Sequence, residues 1–365
     1  MLNKVNVTKL LAKQLVTLIL LLPFSRIYGL ITDIRNWLYD RKLYSSYESS
    51  SCVIAVGNLT VGGTGKTPMI EYLIKRHLTP DSILRPEVAT LSRGYGRRTK
   101  GFRIATDLDT AETIGDEPLQ LYRKFKHRVR IFVGEQRAEA IRQILETYPE
   151  TKQILLDDAF QHRAVRPNLN LMLSEYSRPF YNDHPFPAGR LRERRHGAQR
   201  ADAVIVTKCP DSLSAAEQAK IGANIRSYIR EGTPLFFAGL QYGQPISFAD
   251  NKPVSSLQSV VLVSGLANAV PLEGYVQQTF SMKKHHRFAD HYAYSRTDLD
   301  QLFDTLSPDD SLLTTEKDWV KIDALLTADE RRQLPLYYIP VEMAFLPGYE
   351  AEFETLVNGF LLKNT

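Results

Sequence analysis

From residue 52 onward, short apolar runs alternate with segments in which apolar residues recur at helical spacing. The short runs are rich in Val, Ile and Leu, as strands buried on both faces of a parallel sheet are. We predict strands at Val53–Val56, Val88–Leu91, Ile131–Val133, Ile154–Leu156, Leu169–Leu173 and Ala203–Thr207, with helices at Met69–Leu78, Glu117–Lys124 and Arg137–Thr147. This alternation predicts an α/β fold with an open, mostly parallel sheet covered on both faces.

The pattern loosens around Gly232–Pro245, where Gly, Pro and Gln are common, and a second α/β set follows. Its elements are Val260–Val263, Ala267–Gln277, Asp298–Thr305, Ser311–Thr314 and Leu336–Ile339. We therefore expect a core domain over residues 46–235 and a smaller α/β domain over residues 236–365. The C-terminal helix predicted at Tyr349–Leu362 could pack on either domain.

The N-terminal segment, residues 1–45, differs because its apolar residues are nearly continuous from Leu10 to Leu22. A secretory signal fits poorly, since no small-x-small cleavage site follows. The run is shorter than the roughly 20 apolar residues that a bilayer span needs, and it contains Lys13 and Gln14. Aromatic and basic residues over 28–42 favour a helix that lies in a membrane interface. A helix packed on the core and a true span are the alternatives.

Composition places the chain among folded proteins, with 365 residues, of which 43% are hydrophobic and 24% charged. Its two cysteines, Cys52 and Cys209, provide no disulfide framework, so a reducing compartment fits best. The formal net charge of +5 is modest for this length. It does not require nucleic acid as a partner, although it would suit an anionic surface.

A glycine-rich turn follows the first predicted strand and leads into a helix. It reads Thr60, Val61, Gly62, Gly63, Thr64, Gly65, Lys66, Thr67. We predict that its backbone N–H groups close around a polyphosphate, that Lys66 reaches the outer phosphates and that Thr67 ligates magnesium. The standard loop begins with Gly, where this chain has Thr60. The alternative is a strand–turn–helix corner that uses Gly only for its permissive dihedrals.

Two acidic residues, Asp157 and Asp158, end the strand predicted at Ile154–Leu156. Acids in this position beside a phosphate loop can hold magnesium directly or through water. A turn or helix cap is the alternative for such a pair. Gln161 and His162 follow closely and could line the same crevice, although a structural role for the histidine is equally compatible with the sequence.

Two further acids are candidates for proton transfer. Asp116 opens a predicted helix within Gly115-Asp-Glu-Pro118, where an acid also stabilises the first turn. As the alternative to this capping role, it could accept the proton of an attacking hydroxyl. Asp290 and His291 form a carboxylate–imidazole pair that could act as a base or orient one, or lie on the surface. Their surroundings lack the Cys and His spacing of zinc sites.

Two loops concentrate arginine. The first is Leu91–Arg98, in which glycines and an aromatic accompany Arg93, and the second is Pro187–Arg195, which contains Glu193. Arginine presents a planar fork to anionic oxygens, so an anionic substrate is favoured over two merely solvated faces.

The ordered set of these motifs resembles the tetraacyldisaccharide 4′-kinases of lipid A biosynthesis, over most of the chain. The motifs are Val56–Thr60 with Gly62–Pro68, Ser92–Gly96, Gly115–Pro118, Asp157–His162, Pro187–Gly189 with Leu191–Glu193, Asp290-His291 and Thr315–Asp318. Two positions depart from the usual pattern: Ala159 stands where Gly is usual, and Arg190 stands where Pro is usual. Thr60 at the first loop position is normal in this family.

The resemblance implies a P-loop NTPase-like kinase that uses ATP and Mg²⁺. It would phosphorylate the 4′-hydroxyl of a tetraacyldisaccharide 1-phosphate to give lipid IVA. The implied proton-accepting dyad is Asp116 with His291. The implied metal site consists of Thr67, Asp157, Asp158 and Glu193, and the implied substrate-binding residues are Arg93, Gln161, His162, Arg192 and Asp290.

We expect such an enzyme at the cytoplasmic face of the inner membrane, peripheral or monotopic through its N-terminal helix. Its expected partners are the lipid substrate and the membrane surface, without nucleic acid or a stable protein partner. The alternative is a P-loop ATPase switch of the partition or metallochaperone type. Those proteins often carry Lys where this chain has Val61, and the switch leaves the Asp290-His291 pair and the apolar helix unexplained.

Overall fold

The computed structural model describes residues 4–78 and 86–362, with side chains described from residue 20 onward. Its strands are β1 (Cys52–Asn58), β2 (Val88–Ser92), β3 (Arg103–Ile104), β4 (Arg130–Val133), β5 (Gln153–Asp157), β6 (Leu169–Glu175), β7 (Ala203–Thr207), β8 (Leu235–Tyr242), β9 (Ile246–Ser247), β10 (Ser259–Ser264), β11 (Ser281–Arg287), β12 (Asp310–Thr315), β13 (Leu336–Ile339) and β14 (Val341–Phe345). Its α-helices are α1 (Lys4–Asp40), α2 (Lys66–His77), α3 (Ala111–Ile114), α4 (Asp116–Phe125), α5 (Arg137–Thr147), α6 (Ala215–Arg226), α7 (Val270–Thr279), α8 (Arg296–Asp304), α9 (Glu316–Asp323), α10 (Ala328–Gln333) and α11 (Tyr349–Leu362).

Nine strands form the larger sheet, in the order β14-β8-β7-β6-β1-β5-β2-β4-β3. The seven strands from β8 to β4 run parallel, and an antiparallel strand closes each edge. Alternate residues of β1 face opposite layers: Ile54 packs with Ile70 of α2, whereas Ala55 packs with Ile141 of α5. The predicted α/β fold with a mostly parallel, doubly covered sheet is confirmed.

The centre of this sheet explains why the sequence motifs converge. Strand β1 lies between β5 and β6, and Val56 of β1 is in register with Asp157 of β5. Because parallel strands present their carboxyl ends at one edge, the loop after β1 and the acids ending β5 lie side by side. Ligands of open α/β sheets bind at this edge.

Five strands form the smaller sheet, in the order β11-β10-β12-β13-β9, with only β9 antiparallel to its neighbour. The chain then returns to the larger sheet, where β14 pairs with β8. Helix α11 packs there too, since Phe353 and Val357 belong to the core of β8 and β14. In sequence order, therefore, β8 precedes and β14 follows all strands of the smaller sheet. The predicted domain boundary at residue 235 stays a prediction.

Helix α1 spans 37 residues and includes Pro23. Most of the apolar run from Leu10 to Leu22 lies outside the described side chains. Over the described part, α1 exposes a row of apolar residues spaced three or four apart, which places them on one face. They are Leu20, Phe24, Ile27, Ile31 and Ile34. Within residues 4–78 and 86–362, no helix is long and apolar enough to cross a membrane.

Helix α4 is held between α2 and α9 by buried charges. Lys124 of α4 lies 2.6 Å from Glu71 of α2 and 2.7 Å from Glu316 of α9. On the same helix, Arg123 lies 2.7 Å from Asp323 of α9. These ion pairs fix α4, which begins at Asp116, relative to the helix after the glycine-rich turn and to the smaller sheet.

Candidate active site

The glycine-rich turn has the backbone that a phosphate loop requires. Gly62 and Gly65 have φ of 122° and 88°, which a residue with a side chain rarely adopts. Gly65 is the N-cap of α2, so the loop ends with the first N–H groups of that helix. Thr64 anchors the loop to the ends of two strands. Its hydroxyl accepts a 2.8 Å hydrogen bond from Asn58 of β1, and its carbonyl accepts one of 2.7 Å from Thr207 of β7.

Lys66, Asp158 and Arg192 form a charge cluster beside this loop. The Lys66 ammonium lies 3.6 Å from Asp158 Oδ1, and Arg192 Nη1 donates to both oxygens of Asp158 at 2.9 Å. Burial favours the neutral form of Asp158, but these two cations outweigh burial and lower its pKa. Asp158 is therefore ionised. It follows β5 directly and has φ of 49°, a left-handed conformation that non-glycine residues rarely adopt.

Asp157 lies deeper, at 3% exposure. Burial raises its pKa to about 7, with the charge of Glu117 adding to the shift and that of Lys66 opposing it. Among the described residues, its Oδ1 has no hydrogen-bond partner. Arg137, buried at the start of α5, donates to the Asp157 carbonyl at 3.3 Å. A buried acceptor without a partner beside a phosphate loop is a suitable position for a cation.

Glu193 joins the loop of residues 185–195 to three other parts of the chain. Its Oε2 accepts a 2.8 Å hydrogen bond from Asn36 of α1. Its Oε1 accepts from Gln161 at 2.9 Å and from Arg200 at 2.6 Å. Gln161 in turn donates to the Asn58 carbonyl at 2.9 Å, at the end of β1. Glu193 thus connects α1 to the strand that carries the glycine-rich turn.

Asp116 and His291 lie far apart in sequence but close together in space: Asp116 begins α4, and His291 lies between β11 and α8. His291 Nδ1 lies 3.2 Å from Asp116 Oδ2. Burial favours the neutral form of Asp116, but the hydrogen bond from His291 and the charges of Lys321 and Lys317 outweigh it and lower the Asp116 pKa. Asp116 is therefore a carboxylate at the first turn of α4, directly after Gly115, whose φ is 96°.

The remaining predicted residues lie around these groups. Burial and the charges of Arg137, Arg35 and Arg93 lower the pKa of His162 to about 4, so its imidazole is neutral. Its Nε2 is buried without a hydrogen-bond partner in the described part of the chain. Arg93 is exposed. Asp290 accepts a 2.9 Å hydrogen bond from Lys317.

Three groups that the sequence did not single out also reach the site. Arg137 carries no motif beyond its position after β4, which ends at the same sheet edge as β5. Lys317 and Lys321 belong to α9, and they contact His291 and Asp116 respectively. Lys317 belongs to the Thr315–Asp318 motif, so the sequence could have indicated it, although the motif itself suggests no chemical role.

The arrangement can bind a polyphosphate, neutralise its charge and accept a proton. Over the described ranges, no group of three or more His, Cys, Asp or Glu side chains is arranged as a metal site. Magnesium in phosphoryl-transfer sites is commonly held by one or two carboxylates together with the phosphates, so Asp157, Asp158 and Thr67 suit it chemically.

The chain is similar to known proteins along nearly its whole length. A family model described as tetraacyldisaccharide-1-P 4′-kinase matches residues 17–361. A tetraacyldisaccharide 4′-kinase of Cytophaga hutchinsonii is 41% identical over 93% of this chain and 94% of its own. One from Bacteroides thetaiotaomicron is 38% identical over 94% and 93%. The crystal structure of "apo" form LpxK from Aquifex aeolicus in complex with ATP has a TM-score of 0.70 and 26% identity, covering 93% of this chain and 98% of that one.

Proposed function

The chain belongs to the tetraacyldisaccharide-1-P 4′-kinase family, and on that premise we propose how its residues share the work of the reaction. The enzyme transfers phosphate from ATP to the 4′-hydroxyl of a tetraacyldisaccharide 1-phosphate in lipid A biosynthesis. The ATPase-switch alternative receives no support. The assignments of individual residues that follow are ours.

Asp116 acts as the base that accepts the proton of the attacking 4′-hydroxyl, and His291 orients and stabilises it. The observation that carries this assignment is the 3.2 Å contact between His291 Nδ1 and Asp116 Oδ2. The lowered pKa keeps Asp116 ionised, as a proton acceptor must be. In protein kinases an Asp carboxylate likewise accepts the proton of the attacking hydroxyl.

ATP binds at the turn of residues 60–67. The left-handed Gly65 lets the first N–H groups of α2 face the phosphates, and Lys66 neutralises charge on the outer ones. In this assignment Lys66 exchanges part of its contact with Asp158 for phosphate oxygens. Arg137, fixed under the acids, adds a further positive charge near the same edge.

Magnesium would be held by Thr67, Asp157 and Asp158. Support comes from the buried Asp157 Oδ1, which lacks a partner among the described residues, and from the donor chemistry of a hydroxyl and two carboxylates. Magnesium at such a site neutralises charge on the transferring phosphate. Glu193, which the resemblance also implied for the metal site, stays a fourth candidate ligand, and it fixes Gln161 through one of its hydrogen bonds.

The lipid headgroup meets the basic loops. Arg93 is exposed, and Arg192 is anchored on Asp158 with part of its fork free for an anion. The neutral His162 and Gln161 line the same crevice, and Asp290 holds the segment that carries His291. We assign these five residues to binding of the substrate.

Helix α1 lies on the cytoplasmic face of the inner membrane, and the enzyme is peripheral. The exposed apolar row from Leu20 to Ile34 would enter the interface, while the opposite face contacts the site through Tyr28 and Asn36. Arg35 and Trp37 near the end of the row suit the headgroup level. The free, buried cysteines agree with a reducing compartment.

Transfer of label from γ-labelled ATP to a tetraacyldisaccharide 1-phosphate tests the role of Asp116. In Asp116→Asn we expect the rate to fall by about 10²–10⁴-fold, because a positioned general base contributes about that much. ATP binding, measured by calorimetry, should be retained. Glu112→Gln, an exposed acid on the neighbouring α3, is the control and should keep the wild-type rate. A wild-type rate in Asp116→Asn would show that another group is the base.

A further inference from the structure

We propose that Lys317 and Lys321 of α9 are positioning residues for the Asp116–His291 pair: Lys317 sets the proton of His291 on Nδ1, and Lys321 holds a positive charge against the Asp116 carboxylate. The proposal rests on the assignment of Asp116 as base. It gives the smaller sheet, from which α9 follows directly, a part in the chemistry, and it assigns a role to the Thr315–Asp318 motif.

The contact of Lys317 determines which nitrogen of His291 carries the proton. Lys317 Nζ lies 3.1 Å from His291 Nε2. An ammonium group has only donors, so Nε2 must accept. In a neutral imidazole the proton then lies on Nδ1, the atom that faces Asp116 at 3.2 Å. Lys317 therefore makes His291 a donor to Asp116.

Asp290 holds Lys317 and His291 in this relation. Its Oδ1 accepts from Lys317 at 2.9 Å and from the backbone N–H of His291 at 3.1 Å. His291 has φ of 56°, a left-handed conformation that a non-glycine residue rarely adopts. The hydrogen bond to Asp290 stabilises this turn, which presents the imidazole to α4.

Lys321 reaches Asp116 from an almost buried position. Its side chain is 8% exposed, and Nζ lies 3.6 Å from Asp116 Oδ2 and 3.1 Å from Asp318 Oδ1. Nζ also donates to the Tyr292 carbonyl at 3.0 Å. A charge held in so confined a place is screened less by solvent than a surface lysine is.

Asp318 fixes Lys321 to the frame of the smaller sheet. It is fully buried, and its Oδ2 accepts hydrogen bonds of 2.8 Å from the Gly265 N–H and from the Thr315 hydroxyl. Thr315 also caps α9, since its hydroxyl accepts from the Asp318 N–H. Buried groups of the smaller sheet and α9 therefore fix the direction of the Lys321 side chain independently of its contact with Asp116.

The docking of α9 against α4 completes the arrangement. Glu316 pairs with Lys124, and Asp323 pairs with Arg123, so both ends of α9 are tied to the helix that begins at Asp116. Two cations of α9, Lys321 and Lys317, act on the Asp116 carboxylate, while Asp318 and Asp290 lie 3.1 Å and 2.9 Å from these two cations as their own partners. The two lysines are thus the cationic part of the pair's surroundings.

If the lysines were purely structural, their removal would lower stability without changing the chemistry of the Asp116–His291 pair. The pH profile of kcat distinguishes such a structural role from the proposed positioning role. Removing Lys321 raises the pKa of Asp116, so more of the base is protonated at a given pH. For Lys321→Met we expect the acidic limb of the kcat profile to move up by about one pH unit, since a nearby opposite charge shifts a carboxyl pKa by about that much. KM for ATP should stay within about twofold, because no ground-state contact to ATP is lost. Lys321→Arg keeps the positive charge and should return the acidic limb at least part of the way to its wild-type position.

Nitrogen NMR of the full-length enzyme tests Lys317 directly. With labelled histidine, and with the His291 signals identified by their loss in His291→Asn, the wild type should show the Nδ1–H form. In Lys317→Met we expect a mixture of tautomers and a kcat at least about tenfold lower. Asp323→Asn, which removes the ion pair with Arg123 but no contact to the pair, is the structural control and should change neither the tautomer nor the pH profile.

The outcomes separate this inference from the assignment beneath it. If Asp116→Asn loses transfer while both lysine variants keep the wild-type pH profile and tautomer, the inference is wrong and the base assignment stands. If Asp116→Asn transfers phosphate at the wild-type rate, the base assignment itself fails. A lysine variant that loses only thermal stability, with an unchanged pH profile of kcat and an unchanged tautomer, also overturns the inference.

Discussion

The side-chain amide of Asn36 donates a 2.8 Å hydrogen bond to the buried carboxylate of Glu193. Asn36 lies on α1, and Glu193 contacts Gln161, which is bound to the end of β1. A helix with an exposed apolar face is therefore part of the framework of the active site. Its loss would alter the site as well as any contact with a membrane.

Asn36→Ala should lower the free energy of unfolding. Glu193 Oε2 would lose its donor in a buried place, which costs about 1–3 kcal/mol. Urea denaturation followed by circular dichroism measures the change. Arg26→Ala, an exposed position on the same helix, is the control and should change the free energy by less than about 0.5 kcal/mol. An equal effect at both positions would contradict the framework role of Asn36.

Replacing Leu20, Phe24 and Ile27 with Ser should weaken sedimentation with anionic vesicles by more than about tenfold, because each apolar side chain buried in the interface contributes about 1.5–3 kcal/mol. Leu108→Ser with Val270→Ser removes exposed apolar residues elsewhere and should leave sedimentation unchanged. Equal loss in both variants would indicate general hydrophobic adsorption in place of a membrane-binding helix.

Lys66→Met should raise KM for ATP and lower kcat by at least about tenfold, since its charge-assisted contact to the outer phosphates is lost in the bound ground state and a stronger contact is lost in the transition state. Steady-state kinetics with varied ATP measures both parameters. Lys75→Met on the same helix removes a surface ion pair with Glu342 and serves as the control. Unchanged ATP kinetics in Lys66→Met would show that the turn of residues 60–67 does not bind the nucleotide.

The buried charges between α2, α4 and α9 predict a pH-dependent stability. Burial raises the pKa of Glu71 to about 7, with Glu316 adding to the shift and Lys124 opposing it. The pKa of Glu316 is raised by burial too, so the folded protein binds a proton that the Glu71–Glu316 pair shares beside Lys124 and that the unfolded chain releases near the ordinary carboxyl pKa. This contribution to stability is present below about pH 4.5 and is lost as pH rises through about 7.

Glu71→Gln should therefore show a smaller fall in unfolding free energy between pH 5 and pH 8 than the wild type shows. Urea denaturation at the two pH values measures the difference. Glu112→Gln, an exposed acid, should keep the wild-type pH dependence. An unchanged slope in Glu71→Gln would mean that Lys124 keeps Glu71 ionised throughout this range.

The sequence predicted the larger sheet well because its central strands are buried on both faces and leave uninterrupted apolar runs. Strand β1 and the glycine-rich turn are the clearest case, since local residues determine both. Strand β11 was not predicted: it is largely polar and lies at a sheet edge, where no apolar alternation is required.

The site was predictable where chemistry is carried by adjacent residues, and not where it depends on packing. The contact between Asp116 and His291 was inferred only from the family resemblance, because residues far apart in sequence meet through the docking of α9 on α4. Lys317 and Lys321 lie one turn apart on a short helix, a spacing common on solvated faces. The direction of Lys321 follows from Asp318, which is bound by the N–H of Gly265 directly after β10, and the direction of Lys317 follows from Asp290.

The pairing of β14 with β8 has a consequence for synthesis of the chain. Every strand of the smaller sheet is made after β8 and before β14. Until β14 emerges from the ribosome, β8 remains an open edge, which is a template for wrong pairing with another chain. The nascent enzyme is therefore most exposed to aggregation while the inserted sheet is being made, and a truncation before Val341 should leave a protein that aggregates rather than a smaller stable core.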